Sequence, residues 1–403
     1  MQRLTVLDNG LRVVTRHMPS VETVAVGLHC DTGSRREAAR ENGLAHLYEH
    51  MVFKGAGGRS ARALAETVED AGGDLNAMTG REGTVFSARL LAGDLDLGLD
   101  LIADMIRDPH FDGTELEREK QVILQELAEV NDNPSDLVFD DLQAAAFPAQ
   151  PLGTSILGTA ESLAGLTRDD LIAWRDTHYA PDSLIIVAAG ALEHDELAAH
   201  AERRFGDLKP APRPALDPAR WTIGRQERRR ETEQVHLTLG WQGPGVYDDN
   251  LFAARIFAEA VGGGMASRLF QELREERGLA YTVYASHAPF SDTGLFTVYA
   301  ATAPGDAAET RDLIRSVLTE AAETLDEREL SRARALSKSG LLMALESCEG
   351  QASYAARQLL VHGRLVEPAE VVEELDALTL DEVRAAGAAL IAGEPAEARI
   401  GAI

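Results

Sequence analysis

Apolar and polar positions along this chain follow two periods, and the periods change in a set order. In "TVAVGLHC", residues 23–30, they alternate as in a half-buried strand, whose successive side chains point to opposite faces. The N-terminal "MQRLTVLDNGLRVV" alternates too and turns at Asp8-Asn9-Gly10. A turn-like stretch then leads into a helix that holds His46. "SARALAETVEDAG", residues 60–72, has the period of an amphipathic helix and is stopped by Gly72-Gly73. A strand pair around "GTVFSARLL" (83–91) and an amphipathic helix from Leu95 to Ile106 follow.

The same order returns later. "QVHLTLGW" (234–241) reads as a strand, Asn250 to Val261 as a helix and "MASRLFQELREERG" (265–278) as a second helix. Strands at "YTVYAS" (281–286) and "GLFTVYAAT" (294–302) come next, then a helix from Asp306 to Leu325. Strand, helix, helix, strands, helix thus occurs twice, as a repeat of pattern more than of letters. It predicts an α+β fold of two similar units in tandem, each a mainly antiparallel sheet with helices on one face. Between them, "GDLKPAPRPALDPARW" (206–221) carries Pro210, Pro212, Pro214 and Pro218, a density that no helix or central strand tolerates. The expected division is therefore 1–209, a Pro-rich linker at 210–221, and 222–403.

Composition narrows the class. A chain of 403 residues suits two domains, and 45% hydrophobic residues can fill two cores. Aromatics are only 5%, so Leu, Val, Ile and Ala must do the filling. No window approaches eighteen uninterrupted apolar residues, so no membrane span is expected, and the N-terminus reads as a strand rather than a signal peptide. Cys30 and Cys348 have neither metal nor redox spacing and read as buried free thiols, which fits the cytoplasm. With 39 basic and 66 acidic residues the formal charge is −27, so phosphate backbones are repelled and nucleic acid is not an expected partner. The ordinary reading of that charge is solubility; the functional one is an acidic chamber that attracts cationic peptides.

Chemistry concentrates in "GLAHLYEHMVFKG", residues 43–55. On a helix, positions i, i+3 and i+4 share a face, so His46, Glu49 and His50 point the same way. Two imidazoles one turn apart can ligate one Zn²⁺, and the carboxylate between them lies beside the open coordination position. The motif is H-x-x-E-H, the reverse of the forward helical order, which occurs nowhere in the chain. Leu44, Ala45, Leu47, Met51, Val52 and Phe53 make this helix apolar nearly all round, hence buried, and buried histidines need partners.

A catalytic zinc needs a third protein ligand. The charged helix "ELEREKQVILQELAEVNDNP" (115–134) offers Glu115, Glu117, Glu119, Glu126 and Glu129, and spacing alone does not choose among them. Glu119 and Glu126 lie two turns apart on one face, so one can ligate while the other orients a histidine. Other features are set aside. Gly262-Gly263-Gly264 lacks the Lys and Ser/Thr of a phosphate loop and reads as a turn between helices, while His194, His200, His236 and His287 read as structural or surface residues.

The motif at 43–55, "NAMTGREGTVFSAR" (76–89), "EREKQVILQELAEVNDNP", "PLGTSILGTAESL" (151–163) and "SRLFQELREERGLAYTVYAS" (267–286) together resemble the inverted-motif zinc peptidases typified by pitrilysin and the mitochondrial processing peptidase. The likeness covers nearly the whole chain, in order, as a bacterial-type half-length member. It implies Glu126 as third ligand and Glu119 as the residue that supports a ligating histidine. It implies that Arg274 and Tyr281 bind the substrate carbonyl and steady the oxyanion. It places Asn76 and Ala77 on an edge strand that pairs with substrate backbone, with Phe270 as a further substrate-binding residue. Tyr48 stands where Leu is common and Gly80 where Ser is common. The implied protein is a zinc endopeptidase, one Zn²⁺ per chain, acting on unfolded or processing peptides inside a clam-like chamber. Because the family encloses its chamber with four units and this chain supplies two, a homodimer is expected, with a heterodimer as the variant arrangement. The competing expectation is an inactive structural or partner subunit of a two-chain peptidase or a respiratory complex.

Overall fold

A computed structural model describes residues 2–402. They divide into two compact units, each made of pieces from both halves of the chain. The first comprises 1–127, 155–216 and 343–366; the second comprises 128–154, 217–342 and 367–403.

The first unit is built on a six-stranded sheet. Its strands are β1 (Gln2–Val6), β2 (Arg12–His17), β3 (Thr23–Cys30), β6 (Asp74–Thr79), β7 (Thr84–Leu91) and β8 (Leu184–Gly190). Two-residue strands β4 (Gly55–Ala56) and β5 (Arg59–Ser60) form a separate hairpin. The spatial order is β1-β2-β8-β3-β7-β6, antiparallel except for β2 beside β8. Strand β8 has no polar side chain, and it uses both faces. Leu184, Ile186 and Ala188 join the main core with Val24, Val26 and Leu28 of β3. Ile185, Val187 and Ala189 face the other way, with Val14. Helices α1 (Leu44–Val52), α2 (Ala61–Asp70), α3 (Leu95–Arg107) and α4 (Gly113–Asp132) contribute to the main core. Helix α3 lies so close to the sheet that a Cβ on Gly98 would stand 2.6 Å from a Leu90 methyl.

The second unit repeats this plan with β9 (Arg225–Arg229), β10 (Val235–Gly243), β11 (Ala280–Pro289), β12 (Gly294–Thr302) and β13 (Ala396–Gly401). Their order, β11-β12-β10-β13-β9, matches β6-β7-β3-β8-β2 position for position, and the one parallel pair, β13 with β9, falls in the same place. The duplication seen as a pattern in the sequence is therefore a duplication of topology.

Two features differ from the expectation. Each sheet carries its larger helical layer on one face, but the other face is also covered, by a helix from the opposite half of the sequence. Ala352, Ala355, Ala356 and Leu359 of helix Cys348–His362 cover the outer face of the first sheet. Leu137, Val138 and Leu142 of α5 (Pro134–Ala146) cover that of the second, beside Tyr299, Ala398 and Ile400. Consequently the compact units are not 1–209 and 222–403, although residues 209–224 hold no regular element, as their prolines require. Strands buried on both faces need apolar cover on both, and a local hairpin-and-helix unit supplies it on one side only. Among the described residues no helix is long and apolar enough to cross a membrane.

Candidate metal centre

Helix α1 buries Leu44, Ala45, Leu47, Tyr48, Met51 and Val52 and turns His46, Glu49 and His50 to a half-buried face. Tyr48, the departure from the common Leu, points into the core, stacked on Tyr179 with ring centroids 4.7 Å apart. It does not reach the histidine face. Helix α4 brings Glu126 against α1 from outside. One ligand atom from each of His46, His50 and Glu126 lies within 4.8 Å of the other two. His46 Nε2 is 3.9 Å from Glu126 Oε2, and His50 Nε2 is 3.7 Å from Glu126 Oε1. Ligands at about 2.0–2.1 Å from one tetrahedral zinc stand roughly 3.3–3.5 Å apart, so these two His–Glu separations need only a small contraction.

The electrostatics suit a cation. Burial, with His50 alongside, pushes the His46 imidazole down to about 4, so it stays neutral and keeps a lone pair to offer. Glu126 supplies the anionic donor. His50 Nδ1 donates to Glu119 Oε2 at 3.0 Å, which leaves Nε2 as the ligating nitrogen. Glu119 is 4% exposed, and its other oxygen holds Lys54 Nζ at 2.8 Å. Tertiary placement separates four of the five candidate glutamates of this helix: Glu126 lies with the two histidines, Glu119 hydrogen-bonds His50, and Glu115 and Glu117 pair with Arg118 and Lys120.

Glu49 stands on the same face. Burial raises its carboxyl above the usual range, while Thr79 hydrogen-bonds it and pulls the other way. Its Oε2 is buried without a hydrogen-bond partner, as is His46 Nδ1. An orphaned carboxylate oxygen beside three convergent ligand atoms is placed to take a proton from water in the open position. Thr79 and Lys54 escaped the reading of the sequence. Neither is a ligand type, and only the packing of β6 and α4 on α1 brings them in.

Thr79 ends β6, the outermost strand of the first sheet. Asn76 and Ala77 lie on this strand, and Asn76 is exposed. The strand therefore presents a backbone edge that leads to Glu49.

In the second unit, Phe270, Arg274 and Tyr281 come together. The helix expected over 265–278 is instead a widened π-helical turn, Phe270–Glu276. Such turns recur at functional sites. The Arg274 guanidinium lies 4.8 Å from the Phe270 ring centroid and 4.5 Å from that of Tyr281, and its Nη1 donates to the Tyr281 carbonyl at 3.1 Å. Arg274 is thus a held cation rather than a loose surface charge.

Residues 12–160 match the family pattern described as insulinase, peptidase family M16, and residues 165–337 match the one described as peptidase M16 inactive domain. The chain belongs to peptidase family M16. His46, Glu49, His50, Glu119 and Glu126 all fall in the first M16 region, and Arg274 and Tyr281 in the second. An "uncharacterized zinc protease" of Rickettsia felis is 36% identical over 94% of this chain and 92% of its own length. Uncharacterized zinc protease YmxG of Bacillus subtilis is 35% identical over 93% and 92%. The M16 fold is matched by a crystal structure from Pseudomonas fluorescens described as a peptidase M16 inactive domain, with a TM-score of 0.93 at 22% identity, over 100% of this chain and 98% of that one.

Proposed function

We propose that this chain is a zinc-dependent endopeptidase that cuts unfolded or targeting peptides. The convergence of His46, His50 and Glu126 beside Glu49, whose Oε2 is buried without a hydrogen-bond partner, carries that reading. One zinc per chain, held by these three side chains, would polarise both a water molecule and the scissile carbonyl. Glu49 takes the proton from the attacking water and passes it to the leaving amine. Glu119 fixes the His50 ring by its hydrogen bond. Arg274, clamped between two rings, and the Tyr281 phenol donate to the oxyanion. The free edge of β6 receives the peptide as an added strand at Asn76 and Ala77, and Phe270, packed on Arg274, is a further peptide-contacting residue. Two copies complete a chamber, each supplying the Arg274 and Tyr281 of the other's site. The acidic balance favours basic peptides. Both cysteines are free, which suits the cytoplasm.

An inactive partner subunit remains the second reading. The complete set of three ligands and a base speaks against it, because a scaffold has no use for a carboxylate oxygen buried without a partner. Metal analysis and cleavage of a fluorogenic unstructured basic peptide, on wild type and Glu49→Gln, test the two. The endopeptidase reading expects about one zinc per chain in both proteins, with cleavage lost in the variant. Zinc-free wild type that stays inactive after zinc is restored would establish the scaffold instead.

A further inference from the structure

Helix α1 begins without a cap of its own. Its N-cap position is Gly43, at φ 91°, which has no side chain to accept from the first-turn N–H groups. The acceptor comes from Glu37, which is 3% exposed. Glu37 Oε2 accepts from Gly43 N–H at 3.0 Å and from Asn42 Nδ2 at 3.2 Å, and its Oε1 accepts from Ala45 N–H at 2.8 Å. Ala45 directly precedes His46.

The chain that carries Glu37 is itself anchored to the turn that follows β6. Ser34 N–H donates to the Gly80 carbonyl at 3.2 Å and Arg35 N–H to the Arg81 carbonyl at 2.8 Å. The Arg35 guanidinium, buried with only 3% of its side chain exposed, holds Glu82 Oε1 at 2.5 Å. Gly33 has no room for a side chain, since a Cβ there would stand 2.2 Å from the Gly80 oxygen. Residues 33–45 therefore tie the first turn of the ligand-bearing helix to the hairpin of the free edge strand.

We propose that Glu37 is a positioning residue of the metal site: by capping α1 from this anchored segment it fixes His46 and Glu49 relative to His50, Glu126 and the β6 edge. The inference rests on the zinc-peptidase reading. A capping role confined to stability would change the melting temperature alone. A positioning role changes metal affinity and turnover as well, because His46 and Glu49 lie in the first two turns that the cap holds.

The test uses the full chain. Zinc affinity by chelator competition, kcat and KM for an unstructured peptide, and the melting temperature are measured for wild type, Glu37→Ala, Glu37→Gln and Glu37→Asp. Asp141→Asn serves as control; it weakens the ion pair between the buried Asp141 and Arg228 in the second unit. Glu37→Ala is expected to bind zinc about tenfold more weakly, within the roughly 2- to 30-fold that losing a helix cap represents. With zinc saturating, its kcat falls while KM changes little. Glu37→Gln, which keeps an acceptor oxygen, recovers most of the zinc affinity. Asp141→Asn loses thermal stability with wild-type zinc affinity. If Glu37→Ala does not fold, Glu37→Asp decides, since its shorter arm cannot reach both Gly43 and Ala45. Wild-type zinc affinity and kcat in the folded Glu37 variants would overturn the proposal, whatever their melting temperatures. A wild type that binds zinc without cutting peptide would sink the peptidase reading and leave the positioning claim to the affinity data; a wild type that binds no zinc would sink both.

Discussion

Glu119 shows how much one buried carboxylate decides. It accepts from His50 Nδ1 and neutralises Lys54, so the His50 ring is fixed in orientation and tautomer by a group that touches no metal. Glu119→Ala should weaken zinc binding about 10- to 100-fold, read by chelator competition, with the fold retained. Unchanged affinity would mean that the ring is held by packing alone. The two cysteines separate in the same way. Cys30 is 1% exposed and burial pushes its thiol up to about 12, whereas Cys348 is only half-buried, which corrects the expectation that both are enclosed. An alkylating reagent at pH 8 should therefore modify Cys348 and spare Cys30 in the native protein, with both modified after unfolding, as mass spectrometry of tryptic peptides would report. Equal labelling of the native protein would contradict the burial of Cys30. Two other histidines are accounted for by their neighbours: His194 bridges Thr5 and Thr15, and His200 sits between Asp96 and Asp100.

At the scale of elements, periodicity located the strands and helices. "TVAVGLHC" is β3 and "GLFTVYAAT" is β12, residue for residue, but β3 is buried on both faces rather than half-buried, as β12 is too. Periodicity does not say where an amphipathic helix docks, and α5 and Cys348–His362 dock on the sheet of the opposite half. Leu142 of α5 is fully buried against the second sheet, although it precedes the Pro-rich segment. Leu142→Ala should cost about 2–5 kcal/mol, and the loss should appear in the unfolding of the second unit. A fragment ending at residue 216 should fail to give a cooperative unfolding transition. It lacks the helix that covers Val14, Ile185, Val187 and Ala189, and its α5 has no sheet to cover. Cooperative melting of that fragment would show that the exchanged helices are dispensable. The π-helical turn at Phe270–Glu276 was equally hidden, because its apolar spacing, Leu269 and Leu273, fits an ordinary helix just as well.

For the whole molecule, the proposed pairing of two copies has a direct consequence. Glu49→Gln and Arg274→Ala chains should each be inactive alone. Mixed dimers should regain activity, because the zinc unit of the Arg274→Ala chain meets an intact Arg274 from its partner. Absence of complementation, with mixed dimers shown to form, would place both sets of residues in one chain's site. By itself the sequence determined the duplicated α+β plan, the two strand-rich halves, and the helix face that carries His46, Glu49 and His50. These depend on side-chain periods, which are local. The letters of five motifs were enough to point to the M16 family and, through it, to Glu126 and Glu119. Tertiary structure decided what depends on contacts between distant segments. It set Glu119 against His50 and left one oxygen of Glu49, Oε2, without a hydrogen-bond partner. It brought Glu37 under a helix that begins seven residues later, and it exchanged two helices so that each sheet is covered on both faces. Burial and hydrogen-bond satisfaction belong to the packed chain, and no local period encodes which segment will supply them.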